Sequence, residues 1–332
     1  MEKYLEIIQN SYTSYFWYLV KEPFNFHAHN YIYWLLAVSL FFFGLEWVKP
    51  WRTDQPKFRK DFWLDFFYMF FNFFLFSLVV FSAASNVFST LFSDFLGLFG
   101  ITNMVAVSIG SLPYWGQILI LFLVGDFLSW NVHRLLHRIP FLWEFHKLHH
   151  SVEEMGFAAH LRYHWMENVV YSSLKYIPLA MIGFSIQDLF VLHIFNLVVG
   201  HYNHSNITVS GRITGAILGA LIGFAIITSY EMTVLMNVLI IGGTTTLTSL
   251  VVGPFMKIIF NSPEMHIWHH AHDLPKERMT GVNFGITLAV WDYIFKTDYI
   301  PSSGQNIKLG FENLEQYPKT FWEQLTYGFG KK

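Results

Sequence analysis

The strongest restriction on this chain is its supply of apolar runs long enough to cross a bilayer. A spanning helix needs about 20 residues. The segments 31–48, 62–83, 114–130, 213–229 and 232–255 come close to or exceed that, and 169–185 and 189–201 do so more weakly. Within hydrocarbon every backbone N–H and C=O must find a partner in the protein, which leaves helices or a closed barrel. Continuous runs without two-residue alternation select helices. Charged residues make up 13% of the 332, half of the roughly 25% usual in soluble domains. The sequence therefore predicts an all-α fold, a multi-pass transmembrane helical bundle. Residues 1–30 are mixed and aromatic, with no cleavable signal peptide, and suit the membrane interface, where Tyr and Trp are favoured.

Charges between the runs give an orientation. Lys49, Arg52, Lys57, Arg59 and Lys60 crowd the first loop, whereas the loop before Tyr114 has no Lys or Arg. Basic loops stay cytoplasmic, so the run from Tyr114 returns the chain to the cytoplasmic face as His133 arrives. Treating each later pair of runs as a hairpin brings His201, His204 and His266 to that face as well. A helical cap there would carry every histidine cluster.

Those clusters have a pattern. His133 and His137 stand at i, i+4; His146, His149 and His150 form H-x-x-H-H, and His266, His269 and His270 repeat it. On a helix these spacings share a face. Composition alone yields one H-x-x-H-H in roughly one chain in thirty, so two copies are unlike chance. Imidazoles beside apolar spans are costly to bury unless paired or bound to metal. Eight of them exceed what one ion accepts, which implies a dimetal site. Two further pairs, His160 with His164 and His201 with His204, are weaker candidates; His27, His29 and His193 read as ordinary histidines. Imidazole suits Zn, Fe, Cu and Ni alike. A zinc protease would need H-E-x-x-H, and Arg134, Leu135 and Leu136 fill the intervening positions. With no cysteine in the chain, thiolate-ligated haem, iron–sulfur clusters, zinc ribbons and disulfides are excluded. A net charge of −2 gives no case for nucleic acid.

The histidine order, with DFLSWNVHRLLH (126–137), LWEFHKLHHS (142–151), HYNHSN (201–206), SPEMHIWHH (262–270) and VNFGITLAVWDYIFKT (282–297), resembles the fatty acid hydroxylase/sterol desaturase superfamily over roughly residues 114–299. The resemblance implies an integral-membrane, non-haem di-iron oxygenase, with two Fe ions as cofactor and O2 as co-substrate. Such an enzyme hydroxylates or desaturates a C–H bond of a lipid such as a sterol, fatty acyl or ether lipid. It implies ligation by His133, His137, His146, His149, His150, His266, His269 and His270, with His204 matching a further family histidine. His164 resembles the histidine of an H-P-x-E element, although Trp165 stands where the family has proline. His201 has no consistent counterpart. Arg162, Asn203, Asn283 and Asp292 match polar positions of the family. Asp126, seven residues before His133 and so on the same helical face, is placed to accept an imidazole N–H or to face a polar cavity. No dinucleotide-binding fingerprint or cytochrome b5 motif is present, so the electrons must come from an external ferredoxin, cytochrome b5 or reductase.

Three parts are expected: 1–113 as interfacial segment and first transmembrane hairpin, 114–299 as catalytic domain, and 300–332 as a cytoplasmic tail. Inside the second, an apolar hairpin at about 207–256 departs from the family pattern. Its Gly215, Gly219 and Gly223 form a doubled G-x-x-x-G face that permits close packing, so it could mediate a homodimer, pack on the core or line lipid access. The competing function is a membrane metal-binding or transport protein using the histidines for ion transit. That reading favours ionisable residues strung through several spans rather than gathered at their ends.

Overall fold

The computed structural model describes residues 2–103, 105–229 and 233–329. Among them there is no β-strand, only two isolated bridges, Phe260 with Leu288 and Ala271 with Leu309. Helix α1 (Glu2–Lys21) has an acidic first turn and a basic last one, matched to its dipole. It exposes Phe16 and Trp17, as an interfacial helix would. Helix α2 (Tyr31–Val48) starts where the Asn30 side chain caps Ile32 N. Helix α3 (Phe62–Gly97) runs fourteen residues beyond the expected end at 83, because nothing in 84–96 breaks a helix before Gly97. Lys3 Nζ meets Asp94 near its end at 2.7 Å.

Helix α4 (Tyr114–Arg138) begins after Pro113 and stops at Ile139, whose extended backbone precedes Pro140. Proline disfavours helix at the residue before it and suits the first turn of the helix it opens. The chain therefore bends there into α5 (Pro140–His150). Helix α6 (Trp165–Tyr171) continues through a wide turn, Ser172–Tyr176, into Ile177–Met181. Helix α7 (Ile186–His204) opens with a capping box in which Ser185 and Asp188 satisfy each other's backbone N–H. Then come α8 (Gly211–Ser229), α9 (Val234–Ile259), α10 (Pro263–His269), α11 (Val290–Phe295) and α12 (Phe321–Thr326).

Among the described residues, five helices are long and apolar enough to cross a membrane: α2, α3, α4, α8 through Thr228, and α9. The weaker runs at 169–185 and 189–201 are not among them. The first is interrupted by its wide turn and Pro178, and the second carries His193, Asn196 and His201 along α7. Both lean on α4 instead: a Cβ on Gly125 would touch Leu179 and Leu192. Met232, the expected start of the last span, lies outside the described residues.

The glycine face of α8 is taken by its own hairpin partner. A side chain at Gly215 would meet Thr248 O at 2.7 Å and one at Gly223 would meet Ile241 Cα at 2.8 Å, while Gly219 backs onto Thr244 and Thr248. Thr248 Oγ1 donates to Gly215 O at 2.6 Å. Homodimerisation through Gly215, Gly219 and Gly223 is thereby corrected, since α9 fills that face. Outward, the hairpin shows Ile217, Leu221, Val238 and Leu239, a surface suited to lipid. The residues from 300 to 329 are no free tail: Gln324 is fully buried and accepts from Tyr68 Oη at 3.0 Å.

Candidate metal centre

Four helices deliver imidazoles to one buried place. His133, His137, His146, His150 and His269 form one group, and His149, His204, His266 and His270 a second. Within each group the ligand atoms lie within 4.8 Å of one another. The i, i+4 pairs 133/137, 146/150 and 266/270 each stay together. The remaining histidine of each H-x-x-H-H, His149 or His269, crosses to the other group. Steps of 300° and 400° around a helix explain this: i+3 falls on one side of i and i+4 on the other. Each triplet, expected to point one way, in fact spans both groups.

Ring orientation is fixed from outside. His133 Nδ1 donates to Phe284 O at 2.9 Å and His269 Nδ1 to Val282 O at 2.7 Å. His149 Nδ1 donates to Arg162 O at 3.1 Å and His204 Nδ1 to Gly200 O at 2.8 Å. A carbonyl can only accept, so each of these rings carries its proton on Nδ1 and a lone pair on Nε2. His149 and His204 nevertheless bring their Nε2 atoms to 3.1 Å, lone pair against lone pair. His204 and His266 approach at 3.0 Å, and His150 and His137 at 3.1 Å. Such edges are what right-angled ligands make around a cation at bonds of about 2.1 Å, and a cation removes the repulsion. His146 Nε2 is likewise buried with no hydrogen-bond partner. The all-nitrogen donor set fits a first-row transition metal. Burial drives His146, His150, His266, His269 and His270 well below the usual imidazole range and His149 to about 3. Neutral rings are what ligation requires.

The loop 282–288 supplies two of the anchoring carbonyls and is itself clamped. Asp292 accepts from Phe284 N at 2.9 Å, Gly285 N at 2.8 Å, Trp130 Nε1 at 3.0 Å and Thr297 Oγ1 at 2.6 Å. Asn283, at φ +53, donates to Met265 O and Tyr299 O. Asn203 donates to Ile286 O at 2.7 Å. Asp126 accepts from Thr287 N, Leu288 N and Trp291 Nε1 at 3.0, 3.1 and 2.9 Å. It thus holds the loop behind His133, and neither accepts an imidazole N–H nor faces a polar cavity, the two placements expected of it. Arg162 adds a charged tie to its carbonyl, pairing with Asp61 and Asp65 at 3.1 Å each.

His164 does not join either group. Its Nδ1 accepts from Met166 N at 3.2 Å, capping α6, and its Nε2 donates to Leu325 O at 2.9 Å, so no lone pair remains for a metal. His160 and His201 pair with each other at 3.0 Å, and Ser39 Oγ takes the far side of His201. They sit beside the second group without entering it. Sequence reasoning missed Glu167 as the partner of His146 Nδ1, at 2.8 Å. The motif HWME offered it; the carbonyls of Phe284, Val282, Arg162 and Gly200 have no side-chain signature to find.

A cavity of about 570 Å³ reaches the histidines. Along α7 it is lined by Ile186, Leu189, Phe190, His193, Leu197 and His204, one helical stripe running the length of the helix, about 27 Å. Phe73, Phe81, Leu161 and Ile286 add further apolar wall, a lining suited to a hydrocarbon chain. Ile186, 74% exposed, marks the open end. His133, His146, His149 and His266 line the closed one.

The fatty acid hydroxylase model matches residues 118–218 and 208–297, two stretches that overlap at the start of α8. An ornithine lipid hydroxylase, OlsE, of Rhizobium tropici is 23% identical over 220 residues, 66% of this chain and 52% of the relative. The chain thus spans about half the length of the curated relative it matches. No solved structure matches. With more than half of its length matched, all of its grouped histidines inside the match, and the motif order intact, the chain belongs to the fatty acid hydroxylase family.

Proposed function

We propose that the chain is a membrane-embedded, O2-dependent lipid hydroxylase whose two histidine groups hold two irons. The observation that carries this reading is that histidines of both groups line one cavity walled along α7 by apolar side chains. Family membership and the lipid hydroxylase relative support the reaction class. Two bound irons would supply the redox capacity to activate O2 against an unactivated C–H bond.

The protein's own residues do the rest. His133, His137, His146, His150 and His269 would hold one ion, and His149, His204, His266 and His270 the other. Carbonyl and Glu167 acceptors keep the rings in the ligating tautomer. The walls from α3, α6 and α7 exclude water and present a chain methylene sideways from the bilayer. Hydroxylation is the primary outcome, with desaturation the branch in which a second hydrogen is removed. Electrons come from an external ferredoxin, cytochrome b5 or reductase. The site is assigned to the cytoplasmic side. The basic loop between α2 and α3 supports this, because Trp51 N donates to Asn206 O at 2.9 Å beside the histidines. Ion transit has no comparable support, since the imidazoles are gathered in one buried place.

Metal analysis of the purified chain tests the reading, with about two irons per chain expected. Comparison of lipids from cells with and without the gene should reveal a hydroxylated species that depends on O2. A chain loaded only with zinc in cells, and making no oxidised lipid, would refute it.

A further inference from the structure

The slot contains one cation that the protein does not neutralise. Lys175 is 4% exposed and lines the cavity. Among the described residues its Nζ has no carboxylate within ion-pair distance and donates no hydrogen bond; its nearest ring is Tyr176, 5.4 Å to the centroid. The carboxylate closest in charge, Asp126, spends its oxygens on Thr287 N, Leu288 N and Trp291 Nε1. An ammonium that faces only this cavity and has no protein partner is poorly solvated, so whatever fills the slot should supply a counter-charge.

Two further unpartnered groups adjoin it. His193 Nε2 and Tyr31 Oη are buried, without hydrogen bonds, and line the same cavity. Their rings lie 5.2 Å apart, and Tyr176 Oη meets His193 Nδ1 at 3.3 Å. Lys175 stands on the wide turn Ser172–Tyr176, a local irregularity that recurs at functional sites and re-aims side chains. It lies eight residues beyond Glu167, which touches His146, hence about 12 Å along the helix from the metal groups. His193 is eleven residues before His204, about 16 Å by the same measure.

Resting on the hydroxylase reading above, we propose that Lys175, with His193 and Tyr31, binds the carboxylate of a single-chain fatty acid inside the slot. The acid end is then held partway down the cavity, and a methylene far along the chain, not the carbon beside the acid, reaches the histidine groups. The lysine acts as a specificity determinant.

Binding to the full-length, metal-loaded chain in neutral detergent tests this without turnover. The probes are hexadecanoate, its methyl ester and hexadecyl phosphate. Hexadecanoate should bind at least about tenfold more tightly than the ester, a difference of about 1.4 kcal/mol. Lys175→Met should bring the acid down to the ester's Kd while leaving ester binding and metal content unchanged, and Lys175→Arg should keep the preference. Should Lys175→Met fold poorly, Lys175→Gln and the wild-type acid-to-ester ratio carry the same comparison. Equal binding of acid and ester by wild type, a preference surviving in Lys175→Met, or tight binding of the phosphate alone would each overturn the assignment. An acid preference without any O2-dependent product would sink the hydroxylase reading and leave the carboxylate site standing. Oxidation of the ester but not the acid would do the reverse.

Discussion

Replacing Asp292 by asparagine should loosen one metal and spare the other. Asp292 Oδ1 accepts from Trp130, Phe284 and Thr297, and Oδ2 from Gly285 N at 2.8 Å. An asparagine oriented to keep the first three places its NH2 against the Gly285 N–H, donor facing donor. The loss of one charge-assisted bond costs about 1.5–3 kcal/mol, and the buried N–H left unpaired adds about 1–3 kcal/mol more. That strain falls on the loop whose Phe284 and Val282 carbonyls orient His133 and His269, both in the five-histidine group. The four-histidine group takes its carbonyl acceptors from Arg162 and Gly200, on other segments. Outer-contact losses of this kind lower metal affinity about 10–100-fold. Dialysis of wild type and variant against graded chelator, with bound metal counted at each step, reads this directly. One ion should leave the variant at about 10–100-fold lower chelator strength, while the second leaves with the wild-type pair. Release of both ions together, at either the wild-type or a lowered threshold, would refute the loop as a group-specific support.

Other substitutions test neighbouring parts of the argument. His164→Ala should keep two metals per chain and lose about 1 kcal/mol of stability through the α6 cap, read as a lower melting temperature; loss of a metal would return His164 to the ligands. Glu167→Ala, which strips His146 Nδ1 of its acceptor, should weaken the five-histidine group about tenfold or more, with Glu167→Gln largely restoring it. Gly219→Val drives a side chain into Thr244 and Thr248 and should cost about 1–3 kcal/mol as overpacking. Its metal content should be unchanged, and an altered oligomeric state in place of lost stability would contradict the intrachain packing.

Much of this was legible beforehand because two physical periods dominate the sequence. Run length separates α2, α3, α4, α8 and α9 from the rest, and spacings of three and four residues mark the histidine helices. The weaker runs misled because α6 and α7 are apolar on the sides that pack on α4 while carrying Lys175, His193 and Asn196 toward the cavity. Sequence spacing also placed each H-x-x-H-H on one face, a coarse truth: the 60° between i and i+3 is enough to send His149 and His269 across. Whether the glycines of α8 meet another copy or the next helix depends on which surface is nearest, and here Ile241, Thr244 and Thr248 of α9 are nearest. Backbone acceptors were invisible for a simpler reason: every residue has a carbonyl.

The α8–α9 hairpin leaves the centre intact because both of its ends are tied to the site before it departs and after it returns. At the first end, Asn206 N donates to Glu46 Oε1 at 2.7 Å and Asn206 Nδ2 to Arg52 O at 3.0 Å, two residues after His204. At the second, Asn261 N donates to Thr287 O at 2.8 Å and Asn261 Nδ2 to Gly285 O at 2.6 Å. Ser262 then caps α10, and Pro263 sets its first turn, fixing the phase at which His266 and His270 point inward. The two asparagines therefore isolate the fifty-odd residues between them from the ligand geometry. An even number of spans returns the chain to the side it left, and the ends are pinned to the α2–α3 loop and the 282–288 loop respectively. Since Asp126, Asn203 and Asp292 clamp that second loop as well, the end of the hairpin and the grouped histidines share one support.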